Sequence, residues 1–121
     1  MGSVANLSGT RVLLVEDEPV IALDHAGRLA AAGAEIVGPF PALQQALDEL
    51  ERTNVDVAVI DFVLREETSV PLQEELERRR VPFVVVTAYP KVLVRRGDET
   101  VLAKPVNGDA LCEAVLRVCA H

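Results

Sequence analysis

The chain has 121 residues, 50% of them apolar and 26% charged, with 19 Asp+Glu against 12 Lys+Arg and a net charge of −7. That length suits one domain with its own core, and the apolar fraction excludes disorder, while no apolar run approaches the ~18–20 residues of a membrane span. The acidic balance argues against binding a phosphate backbone, and three Phe, one Tyr and no Trp supply no base-stacking platform, so neither nucleic acid nor membrane is an expected partner.

Residues 1–9 read as a flexible N-terminal extension of a single domain covering 1–121. No secretory signal is visible, and Asn6 stands where a myristoylation motif requires Ser or Thr, so a cytoplasmic location is expected. Residues 11–15 form a short, continuously apolar run, as expected of a strand covered on both faces. Ile21, Ala22, Ala26, Leu29 and Ala32 then make a helical stripe, which Gly33 is placed to end. A weak strand signal follows at 36–37, and Leu43, Ala46, Leu47 and Leu50 space a second helix. A third strand is predicted over 55–60. Pro71 opens a helix running through Leu72 and Leu76 to Arg78, Arg79 and Arg80, cations that suit a helix C-terminus. Strands at 82–86 and 100–103 flank a segment, 91–96, that is barely two helical turns.

Asp109 begins a last helix that reaches the chain end. Its Glu113 and Arg117 mark the water-facing line, with Leu111, Val115 and Val118 opposite. Leu116 falls off the inward direction, so Leu116 and Cys112 are predicted to form a docking or dimer face. Cys112 and Cys119 stand two helical turns apart, ~10.5 Å, which is too far for a disulfide. Strand and helix alternate about five times, which predicts an α/β fold: a doubly wound five-stranded parallel sheet with helices on both faces. Ligands of such folds sit at the carboxyl ends of the strands.

Those ends carry the chemistry. Glu16, Asp17 and Glu18 follow the first strand, Asp61 the third, Thr87 the fourth, and Lys104 with Pro105 the fifth. Carboxylates gathered within ~5 Å repel by a few kcal/mol even at an effective dielectric near 20, so a cation or proton must neutralise them. Several oxygens with no Cys or His favour Mg²⁺. An ammonium, a hydroxyl and a hard cation around one carboxylate are the parts that stabilise a phosphoryl group in transfer.

Val12-Leu-Leu-Val-Glu-Asp-Glu-Pro19, Val57-Ala-Val-Ile-Asp61, Val84-Val-Val-Thr-Ala88 and Leu102-Ala-Lys-Pro105 resemble, in order and spacing, the receiver domain of two-component response regulators. The resemblance implies that Asp61 accepts a phosphoryl group from a histidine kinase. It implies Asp17 as a direct Mg²⁺ ligand, Glu16 as a helper through water, and the Val63 carbonyl as a further ligand. Thr87 would bond the phosphoryl oxygen, Lys104 would pair with it, and the Lys104–Pro105 bond would be cis. The segment from Pro82 to Tyr89 resembles single-domain receivers with a Pro-Phe-x-x-x-Thr-Gly-Tyr motif, with Ala88 in place of Gly. Output is then expected through protein contacts or phosphorelay, to a downstream phosphotransfer or effector protein or within a homodimer. Val101 stands where the family often has a switch aromatic, which leaves Tyr89 as the candidate switch. Only 16 residues separate Thr87 from Lys104, and the loop after Asp61 lacks the family's Pro and Gly. A phosphohydrolase would require a second carboxylate two residues after Asp61, where Val63 stands. A phosphorylation-independent interaction module is the remaining alternative.

Overall fold

A computed structural model of the chain describes residues 5–88 and 100–119. Its elements follow in the order β1 (Arg11–Val15), α1 (Pro19–Ala31), β2 (Glu35–Phe40), α2 (Leu43–Leu50) and β3 (Val57–Asp61). Then come β4 (Val63–Leu64), β5 (Glu67–Thr68), α3 (Val70–Arg78), β6 (Phe83–Thr87), β7 (Thr100–Ala103) and α4 (Gly108–Cys119). The short helix expected over 91–96 lies outside the described residues. Among the described residues no helix is long and apolar enough to cross a membrane.

The apolar runs of β1, β3 and β6 form the middle of a parallel sheet of order β2-β1-β3-β6-β7. Side chains alternate across it. Val12, Leu14, Val57, Val59, Val84 and Val86 pack with Leu29 of α1 and Leu111, Ala114 and Val115 of α4. Leu13, Val15, Ala58, Ile60 and Val85 pack with Leu43, Ala46 and Leu50 of α2 and Leu72 and Leu76 of α3. The fold is therefore doubly wound. Because α1 and α3, the helices that follow β1 and β3, pack on opposite faces, the crevice above these two strands is the place where a ligand fits.

Two local features escape the hydrophobic pattern. β2 runs through Gly38 and Pro39, which interrupt the strand signal, because it is an edge strand and needs no ladder donor from Pro39. Gly38 has φ +115°, and a Cβ there would lie 2.7 Å from the Leu14 carbonyl oxygen, so glycine is what lets the edge strand approach β1. The loop after Asp61 is a small antiparallel hairpin, Val63 against Thr68 and Leu64 against Glu67, turned at Arg65 with φ 59°. A non-glycine residue at positive φ gives no turn signal in sequence. The arginine triplet also does more than face the helix dipole. Arg79 lies just past α3, donates to the Leu50 carbonyl at 2.9 Å and pairs with Glu51 and Glu75, tying α3 to α2.

Within residues 1–9, Leu7 is a fully buried member of the α1/α4 core, and its N–H donates to the Ala32 carbonyl at 2.7 Å. Leu7→Ala is expected to lower unfolding free energy by roughly 2–4 kcal/mol, the range for truncating a buried leucine. Urea unfolding followed by far-ultraviolet circular dichroism checks it; a change under about 0.5 kcal/mol, as at a surface position, would show that this segment adds nothing to the core.

Candidate functional site

Glu16 continues the Val12–Leu14 row past the end of β1, and Asp61 ends the Val57–Val59 row on β3, so both project on the α1/α4 side of the sheet. Lys104 follows β7, and its N–H donates to the Thr87 carbonyl at 2.8 Å, joining the ends of β6 and β7. The Lys104–Pro105 bond is cis. Lys104 Nζ reaches across to Asp61 Oδ2 at 2.8 Å, Glu16 Oε1 at 3.3 Å and Glu18 Oε1 at 3.3 Å. Side chains separated by up to 88 positions in the sequence thus meet at one mouth.

The electrostatics follow from burial. Glu16 and Asp61 side chains are only 2% and 7% exposed, against 61% for Glu18. Burial, reinforced by the neighbouring Asp61 carboxylate, pushes the Glu16 pKa up to about 7, although the Glu18 N–H that its Oε2 accepts at 3.1 Å opposes the rise. Burial also disfavours the Lys104 ammonium, but Asp61 and Glu16 outweigh it and hold the lysine above its usual value. One oxygen from each of Glu16, Glu18 and Asp61 falls within 4.8 Å of the others, so these three carboxylates can reach one cation. Against three negative charges the lysine supplies one positive charge, and a divalent ion would supply the remaining two.

Of the residues predicted for this site, Asp61, Glu16 and Lys104 converge, while Thr87 is buried at the end of β6, where its carbonyl accepts the Lys104 N–H. Asp17 is placed differently. Its Oδ2 accepts the Arg65 N–H at 2.9 Å, which links the loop after β1 to the β4–β5 hairpin, and it lies outside the three-carboxylate group. Val63 opens β4 with its side chain exposed. Val101 is a half-buried core residue on the α2/α3 side. Tyr89 lies outside the described residues.

The α4 prediction divides. Leu116 is exposed, but Cys112 is buried against α1 with its Sγ 3.6 Å from the Arg28 carbonyl, and burial raises its thiol pKa. Cys112 is therefore a core residue and cannot belong to a docking face with Leu116. His25 is buried on the inward row of α1 with Ala22 and Leu29, and burial lowers its pKa. Sequence reasoning assigned Glu18 no role; its signal was the i, i+2 spacing from Glu16, which a turn leaving a strand can bring to one side.

A family model for the response regulator receiver domain matches residues 12–116. The chain belongs to this family. The receiver is similar to the transcriptional regulatory protein PdtaR of Mycobacterium tuberculosis, 32% identical over 111 residues that make 87% of this chain and 54% of PdtaR. It therefore spans about half the length of the curated relatives it matches. Among solved structures, SdrG from Sphingomonas melonis is 34% identical with a TM-score of 0.80, covering 93% of this chain and 97% of SdrG. The response regulator PhyR from Brucella abortus has a TM-score of 0.85 at 24% identity, covering 96% of this chain and 50% of PhyR, and shows the shared fold.

The raised pKa of Glu16 fixes a sign. Between its ordinary value of 4.5 and about 7 the folded metal-free receiver holds a proton that the unfolded chain has lost. Stability from this group therefore falls as pH rises through that interval and stays low above it. Glu16→Gln is expected to stabilise the metal-free receiver near about pH 8 by up to a few kcal/mol and to flatten this stretch of the profile. Thermal unfolding in chelator across that range checks it, and a variant no more stable than wild type at the alkaline end would contradict it.

Proposed function

We propose that the receiver accepts a phosphoryl group on Asp61 from a histidine kinase, with Mg²⁺, and signals through protein contacts or by passing the group onward. The observation that carries this reading is a buried carboxylate at a strand end, 2.8 Å from an ammonium and beside a second buried carboxylate. Mg²⁺ fits the donor set: all oxygen, doubly negative after Lys104 is counted, and strained enough to raise the proton affinity of Glu16. Asp61 and Glu16 would hold the ion from the buried side, with Asp17 and the Val63 carbonyl as the further ligands implied by the receiver resemblance. When bound, Mg²⁺ neutralises the carboxylates and draws off charge from the phosphoryl oxygens.

The chain's own residues do the rest. An Asp61 oxygen forms a bond to phosphorus as the phosphorus–nitrogen bond of the donor phosphohistidine breaks, the electron pair leaving with the imidazole. Lys104 supplies the counter-charge, and the hydroxyl of Thr87 is the donor proposed for a phosphoryl oxygen. Val63, two positions after Asp61, offers no acid or base to drive hydrolysis, which favours a held phosphoryl group over turnover. A homodimer or an effector remains a proposed partner at the level of protein contacts, with exposed Leu116 available on α4.

Incubation with phosphoramidate and Mg²⁺ is expected to add the mass of one phosphoryl group to wild type and none to Asp61→Asn, with chelator abolishing the addition. Intact mass spectrometry reads this directly. Equal labelling of wild type and Asp61→Asn, or no labelling of either, would overturn the phosphoacceptor reading.

A further inference from the structure

Asp17 stands between two members of the carboxylate group, Glu16 and Glu18, yet lies outside it. Its carboxylate is held by a backbone donor from another loop: the Arg65 N–H reaches Asp17 Oδ2 at 2.9 Å across 48 positions of sequence. That donor comes from an anchored segment. The Phe62 N–H donates to the Val86 carbonyl at 2.9 Å, the Ser69 N–H donates to the Phe62 carbonyl at 2.7 Å, and Leu64 is buried in the α2/α3 core. Between these anchors Val63 pairs with Thr68 and Leu64 with Glu67, and the chain turns at Arg65 and Glu66. A hairpin this tight takes positive φ in its turn, which Gly or Asn normally supplies. Here Arg65 supplies it, with φ 59°. Its side chain is exposed, and what meets Asp17 is its backbone.

We infer that Arg65 is a positioning residue for Asp17: its left-handed backbone aims an N–H that takes one carboxylate oxygen and leaves the other for a divalent cation. The inference rests on Asp17 being a cation ligand of this receiver. A carboxylate loses rotamer freedom when it binds an ion, and a bond made in advance removes part of that cost. Backbone N–H donors to ionised carboxylates are among the stronger hydrogen bonds, and outer partners of this kind tune the affinity of metal ligands. Among the described residues Asp17 makes no other side-chain hydrogen bond, so this donor sets its orientation. The device depends on φ at position 65 and not on the arginine charge. Glycine adopts that φ freely, whereas a β-branched residue is strained there.

The test compares wild type, Arg65→Gly, Arg65→Val and Asp17→Ala. Both substitutions at position 65 remove the same charge and differ in their tolerance of positive φ. Amide hydrogen exchange in the metal-free receiver, read by NMR and corrected for intrinsic rates, follows the bond. Calorimetric titration with Mg²⁺ follows its consequence. Arg65→Gly is expected to protect amide 65, and to bind Mg²⁺, at least as well as wild type. Arg65→Val is expected to exchange about ten-fold faster at amide 65, the factor set by a strained left-handed residue. It is also expected to bind Mg²⁺ roughly ten-fold more weakly, the lower end for losing an outer partner of a ligand. Asp17→Ala removes the acceptor and is expected to expose amide 65 in the same way, so the bond stays testable should Arg65→Val not fold. Unchanged protection of amide 65 in Asp17→Ala or Arg65→Val overturns the inference. So does weakened Mg²⁺ binding by Arg65→Gly, which would assign the effect to the arginine charge. Binding by Arg65→Val as tight as wild type overturns it as well, and tighter binding would mean that the bond withholds Asp17 from the ion. Absence of Mg²⁺ binding to wild type overturns the cation-site reading itself, whatever amide 65 does.

Discussion

Two carboxylates, Glu16 and Asp61, are buried side by side at the ends of adjacent parallel strands, and the Lys104 ammonium is the cation that allows them to stay there. Removing one such charge from water costs several kcal/mol unless it is paired. The pairing group comes from the other end of the sheet: Lys104 leaves edge strand β7 and crosses above β6 to reach β3 and β1. Its backbone is fixed by the bond to the Thr87 carbonyl, so the lysine begins its reach from a defined point. The α1/α4 core below fixes the strand ends from which the carboxylates project. The apolar residues thus act on the site by controlling where three strands stop.

Much of this was legible because strand alternation is rigid. Once β1 and β3 are recognised as doubly covered strands, side chains at positions 12, 14 and 16 must share a face, as must those at 57, 59 and 61. The convergence of Glu16 and Asp61 follows from that count and from the parallel order. Lys104 is less constrained by pattern, since it stands beyond β7 and its direction depends on a long side chain finding its charge partners. The receiver resemblance, not periodicity, supplied its role.

The features that escaped the sequence have one physical origin: they are set by tertiary contact and not by local preference. Arg65 adopts a positive φ in a turn without glycine, where its N–H meets the Asp17 carboxylate. That bond engages one Asp17 oxygen, and Asp17 is not among the three carboxylates, Glu16, Glu18 and Asp61, whose oxygens gather within 4.8 Å. Cys112 could be read as partly outward from a helical wheel, but α1 lies against that side of α4 and buries it. A wheel shows which residues share a direction; it does not show whether a neighbouring helix fills it. β2 continues through Gly38 and Pro39 because an edge strand can do without one ladder donor, a freedom that sequence pattern cannot assign before the strand order is known.

The site's charge can be balanced in more than one way, and the burial gradient decides which members respond. Without a divalent ion, Glu16 has a pKa of about 7 and shares the excess negative charge with a proton. A hard cation held by the same oxygens would have to expel that proton, so ion binding and proton release are linked and acidification weakens the ion's hold. Under the proposed function a phosphoryl group would then add about −1.5 to −2 of charge to the mouth. Asp61 and Glu16 cannot absorb this change by moving into water, because strands β3 and β1 fix their backbones inside the sheet. Glu18 can, since it stands past the strand at the solvent edge with its carboxylate already mostly hydrated. Under that reading the sheet would pass through the site's different charge states with its strands in place.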